Sequence, residues 1–123
     1  MTTTLSSKDR LIFALDVPDK SEAQRLVKLL RDSVGCFKVG LELFVREGPD
    51  ILKLIKDHSS AEIFLDLKLH DIPATVRGAL RSAAKLGVKY ITIHSTEGEA
   101  ILEASKEVKD SGLEVLAVTL LTS

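Results

Sequence analysis

Several common functional signatures are missing from this sequence of 123 residues. Cysteine occurs once, at Cys36. No intrachain disulfide can form, and a lone cysteine in an apolar run reads as a small buried residue. No His or Cys pair has zinc-ligand spacing. The formal net charge is −1, so no global field draws in nucleic acid or an anionic membrane. The N-terminal "MTTTLSSKDR" has no apolar signal-peptide core, and no run approaches the ~18 apolar residues of a membrane span. A soluble, cytoplasmic protein is the expectation. No Gly-x-Gly-x-x-Gly follows the first apolar run, and no phosphate-cradling P-loop is present.

What is present is a repeated pattern. Five short, β-rich apolar runs recur at a near-constant interval: "LIFALDV" from Leu11, "CFKVG" from Cys36, "AEIFLDL" from Ala61, "KYITIHS" from Lys89 and "EVLAVTLL" from Glu114. Helical spacing separates them. Ala23, Leu26, Val27 and Leu30 form the first helical set, with Ser21 and Gln24 placed as a capping box. Ile51, Leu52, Leu54 and Ile55 form the second, where Gly48-Pro49 predicts a short turn followed by a longer helix. Val76, Ala79, Leu80 and Ala83 form the third, started by Pro73. Ile101, Ala104 and Val108 form the fourth. Gly35, Gly87 and Gly112 each stand before a strand, where a helix C′ residue with positive φ is wanted.

Strand, helix, glycine, strand is a βα series, which builds parallel sheets with right-handed crossovers. An open doubly wound sheet and part of a (β/α)8 barrel both fit, and the missing glycine fingerprint favours the barrel. A barrel needs eight strands and usually ~250 residues. Residues 1–123 therefore predict the N-terminal part of one α/β barrel domain, about five parallel strands and four helices, stopping after the fifth strand.

The informative feature is where charge falls. In "FLDLKLHDIPATV", Phe64 to Val76, Asp66 and Lys68 sit two apart in an apolar strand, so they share a face. Ile63, Leu65 and Leu67 take the opposite face, toward helices. Asp16 and Lys38 are expected to end the first and second strands in the same way. A barrel gathers strand C-terminal ends at one mouth, where barrel active sites lie. Acid, base, acid, base would then meet there, each charge offsetting its neighbours' desolvation. A purely structural ion-pair network is the competing explanation. Asp71, past the strand, reads equally well as a cap for the following helix. His94, with Ser95 and Thr96 at the fourth strand's end, reads as a hydrogen-bonded strand-end histidine, a base or a phosphate contact. His58 and His70 fall in expected loops or turns.

"FLDLKLHDIPATV" resembles the Asp-x-Lys-x-x-Asp signature of the orotidine 5′-monophosphate decarboxylases. "FALDV", "FKVGLELF" and "AVTLLTS" resemble that family's first, second and fifth strands, in order. A sister group, the 3-keto-gulonate 6-phosphate decarboxylases, shares the Asp-x-Lys-x-x-Asp core and uses magnesium. The Ile-Pro-x-Thr continuation favours the orotidine enzymes.

The resemblance implies a decarboxylase of pyrimidine biosynthesis that makes UMP from orotidine 5′-monophosphate without cofactor or metal. Lys68 would protonate C6 as carbon dioxide leaves, and Asp66 would face the substrate carboxylate. Lys38 would help hold the charge array and, with Asp16, bind ribose hydroxyls. Asp71, Ile72 and Thr75 would reach across a homodimer interface into the partner's site. Thr122 and Ser123 would contact the pyrimidine. In that family the phosphate is held after the seventh and eighth strands, and a loop after the sixth closes over the substrate. The 123-residue chain alone is therefore expected to have negligible activity. A half-barrel that self-associates through open strand edges, without catalysis, is the reading from a different class.

Overall fold

A computed structural model of the protein describes residues 4–96 and 98–122. The chain divides between Phe64 and Leu65 into two compact units.

The first unit holds β1 (Ile12–Ala14), α1 (Lys20–Leu30), β2 (Cys36–Gly40), α2 (Leu41–Glu47), α3 (Asp50–His58) and the start of β3 (Glu62–Leu69). β1 and β2 are parallel, with Ile12 opposite Cys36 and Ala14 opposite Lys38. The ladder runs on past the last residue of β1, because the Leu15 amide donates to the Lys38 carbonyl at 2.9 Å. Leu15, Phe37 and Val39 are buried together with Val27 of α1, Leu43 of α2 and Ile51 and Ile55 of α3. Phe13 meets Phe37 edge to face, ring centres 6.4 Å apart.

Three local expectations change here. The N-cap of α1 is Asp19, whose carboxylate accepts from the Glu22 amide, and Ser21 lies inside the helix. Asp19 is extended, as an N-cap requires, and it satisfies an otherwise orphan amide. The second helical segment is two helices, α2 and α3, split at Gly48, so the described residues hold five α-helices rather than four. His58 ends α3 instead of lying in a loop.

Gly35 also serves a different purpose from the one expected. Positive φ occurs at Gly87, directly after the C-cap of α4, and at Gly112, in the turn before β5, and Gly35 has none. A Cβ at Gly35 would fall 2.7 Å from Asp9 Cα and 2.9 Å from the Lys8 carbonyl oxygen. Glycine is needed there because another stretch of backbone occupies the space a side chain would take.

The second unit holds the rest of β3, α4 (Pro73–Lys85), β4 (Tyr90–His94), α5 (Glu99–Ser105) and β5 (Glu114–Val118). Pro73 starts α4, its fixed φ suiting the first helical position. β4 and β5 are parallel, from Tyr90 opposite Glu114 to His94 opposite Val118. Leu65, Val76, Leu80, Ala83, Ile91, Ile93, Ile101 and Ala104 form the core of this unit. Arg81 of α4 reaches Glu107, just past α5, at 3.0 Å.

Strand order is β1-β2-β3 in the first unit and β3-β4-β5 in the second, sequential in each. A doubly wound sheet reverses its order at a switch point, and these strands do not.

Candidate active site

β3 is the strand whose charges call for explanation. Ile63 and Leu65 on one face are buried, while Leu67, expected beside them, is only partly so. On the other face the Lys68 ammonium lies 3.0 Å from Asp66 Oδ2. Asp66 is 9% exposed. Its second oxygen, Oδ1, accepts from the Thr92 hydroxyl at 2.7 Å. The Thr92 oxygen in turn accepts from the Lys68 backbone amide at 2.9 Å. Both oxygens of a buried carboxylate are thus satisfied, and no buried polar side-chain atom among the described residues lacks a hydrogen-bond partner.

Lys68 carries a second anomaly. Its φ is +50°, the sole positive value outside glycine among the described residues. That backbone costs an L-residue roughly 1–2 kcal/mol, and strain of this kind collects at functional sites. The lysine side chain stays 41% exposed. A cation that is anchored at its base and open to solvent at its tip can deliver a proton to a bound molecule.

Thr92 carries no signal of its own in the sequence. In "YITIH" a threonine reads as ordinary β-branched filler. The parity rule that singles out Asp66 nevertheless picks it too. Ile91 and Ile93 are buried on one face of β4, which leaves Thr92 and His94 on the other. Thr92 is 5% exposed. The His94 ring stands 4.9 Å from that of His70, tilted by 33°. His70 follows the last residue of β3, in a loop as expected.

Asp71 is exposed, and its Oδ1 accepts from the Ile72 amide at 2.7 Å. It does not cap α4: the N-cap is Ile72, which receives no side-chain hydrogen bond. Ile72 is 65% exposed, and Thr75 is exposed in the first turn of α4. His70, Asp71, Ile72, Pro73, Ala100 and Ile101 border an open cleft of about 570 Å³.

In the first unit, Asp16 lies two residues beyond β1 and is exposed, and Lys38 sits mid-strand in β2, partly buried. Neither terminates its strand as expected. The register Ala14–Lys38 places Asp16 on the same sheet face as Lys38, and Asp16 Oδ1 is 3.7 Å from where a Cβ on Gly40 would stand. Thr122 is exposed four residues past the end of β5, and Ser123 lies outside the described residues.

Parallel strands in chain order alternating with helices, with Asp66 and Lys68 near the C-terminal end of β3, define a scaffold of the (β/α)8 type. The chain belongs to the orotidine 5′-phosphate decarboxylase / HUMPS family, whose model matches residues 9–123. It is 51% identical over 117 residues to orotidine 5′-phosphate decarboxylase of Desulfosudis oleivorans, covering 94% of this chain and 47% of that one. It is 49% identical over 125 residues to the enzyme of that name from a Nostoc species, covering 95% and 52%. Among solved structures, orotidine 5′-monophosphate decarboxylase from Methanocaldococcus jannaschii complexed with inhibitor BMP superimposes with a TM-score of 0.81. That structure is 34% identical, with 89% of this chain and 51% of the other covered. The chain spans about half the length of the curated relatives it matches. The fold is a partial (β/α)8 barrel, as the resemblance implies.

Proposed function

We propose that this chain supplies the acid–base residues of an orotidine 5′-monophosphate decarboxylase, which forms UMP. The observation that carries the reading is the Lys68–Asp66 pair, held at 3.0 Å with the lysine backbone in a left-handed conformation. Loss of carbon dioxide from C6 leaves a carbanion with little intrinsic stabilisation, so charge fixed beforehand does the work. In this reading the Lys68 ammonium stabilises that anion and then gives C6 its proton, ending as the neutral amine. Asp66 faces the departing carboxylate. Asp16 and Lys38 bind ribose hydroxyls, Lys38 also supporting the charge array, and Thr122 and Ser123 contact the pyrimidine. No cofactor takes part, and the setting is the cytoplasm.

Asp71, Ile72 and Thr75 belong, in the same reading, to a homodimer contact that completes the partner's site. All three are exposed, as a contact with a partner requires.

The test uses a chain of the relatives' full length. Lys68→Ala should lower turnover of orotidine 5′-monophosphate by several orders of magnitude with the fold retained, and near-normal turnover would refute the assignment. Lys68→Ala and Asp71→Ala proteins, each inactive, should regain activity when mixed, because a hybrid dimer holds one intact site. Turnover that requires magnesium and acts on a sugar phosphate would instead favour the sister chemistry.

A further inference from the structure

We infer that Thr92 is a positioning residue for Lys68, holding its main chain in the conformation from which the ammonium delivers a proton. The inference rests on the decarboxylase reading above and adds a residue to it. Thr92 lies 24 residues from Lys68 and 26 from Asp66 in sequence, and one hydroxyl joins them. It accepts from the Lys68 amide at 2.9 Å and donates its single proton to Asp66 Oδ1 at 2.7 Å. Asp66 Oδ2 then receives the Lys68 ammonium at 3.0 Å. The loop is closed: main chain of Lys68, hydroxyl, carboxylate, side-chain tip of Lys68.

Each link resists replacement. Thr92 and Asp66 are both buried, so water does not readily take over either bond. The hydroxyl uses donor and acceptor together, which valine, with nearly the same shape, cannot do. Positive φ at Lys68 persists only where surroundings over-determine it, and the amide held by Thr92 is such a constraint. Proton transfer to carbon depends steeply on placement. A lysine released from this backbone keeps its charge and loses its aim. Thr92 acts only through Lys68 and Asp66.

The experiment compares Thr92→Val with Thr92→Ser in the full-length enzyme, reading kcat, KM and hydrogen exchange at the Lys68 amide. Thr92→Val should lower kcat by about tenfold to a hundredfold, the worth of a hydrogen bond to a charged group, with KM within about threefold. Lys68 amide exchange should quicken by at least about tenfold, reporting local opening. Thr92→Ser should remain within about threefold of the parent on every reading. A Thr92→Val enzyme with undiminished kcat overturns the inference, as does a Thr92→Ser enzyme as impaired as Thr92→Val. In the unaltered protein the Lys68 amide must be protected from exchange, and an unprotected amide overturns it even if Thr92→Val fails to fold. Should the parent not decarboxylate the nucleotide, the decarboxylase reading and the catalytic role of Thr92 fall together. The exchange comparison then still reports whether Thr92 holds Lys68.

Discussion

Lys68 and Asp66 stand two residues apart on one strand, and their side chains meet at 3.0 Å. Alternation along a strand puts both on one face. Departure from strand geometry at Lys68, φ +50°, accompanies their contact.

That departure has a measurable cost. Lys68→Gly and Lys68→Ala both remove the ammonium, so their difference isolates the backbone. Glycine adopts positive φ freely and alanine does not. Lys68→Gly should be the more stable of the two by about 1 kcal/mol, read as a shift of the urea midpoint with unchanged slope. Equal midpoints would mean that the lysine backbone is relaxed.

Asp66 and Asp71 should respond differently to the same change. Asp66→Ala strands the Thr92 hydroxyl in a buried setting and should cost about 1–3 kcal/mol of stability. Asp71 is exposed and its carboxylate accepts from the next amide, so Asp71→Ala should stay within about 0.5 kcal/mol. Chemical denaturation of the two variants distinguishes a carboxylate built into the fold from one presented at its surface.

Gly35→Ala tests a steric claim. The added methyl would sit 2.7 Å from Asp9 Cα, and backbone cannot swing aside as a side chain can. A loss of about 1–3 kcal/mol is expected, the usual cost of overpacking. The thermal midpoint should fall, and an unchanged midpoint would show that the Lys8–Arg10 turn yields.

Cys36 should be a poor nucleophile. Burial, with a smaller contribution from the Glu62 charge, pushes its thiol up from 9.0 to about 11. Alkylation of the folded chain should be slow at pH 8, quicken about tenfold per pH unit toward pH 11, and become fast at pH 8 once urea unfolds the protein. The folded state keeps the proton that the unfolded state releases. The stability this group contributes is therefore complete below pH 9.0 and is lost as pH rises through about 11.

The parts of this structure visible in sequence are those written in local order. The βα alternation, the start of α4 at Pro73 and the buried parity of Ile63 and Leu65 need only periodicity and turn chemistry. The rest depends on partners distant along the chain. Gly35 looked like a helix end because the backbone that crowds it lies some two dozen residues earlier. Ser21 and Asp19 are both competent caps, and the extended backbone of Asp19 decides between them. Thr92 was hidden because its importance comes from Lys68 and Asp66. The Asp-x-Lys-x-x-Asp spacing revealed the charged pair without revealing the strain beneath it.

On the decarboxylase reading, a left-handed lysine sets backbone ease against chemistry at one codon. Randomise position 68 and keep whatever resists protease, and two pressures should compete there: glycine or asparagine relieves the backbone, while lysine keeps the buried Asp66 carboxylate paired. On that reading a demand for catalysis should decide the contest for lysine, backbone penalty included.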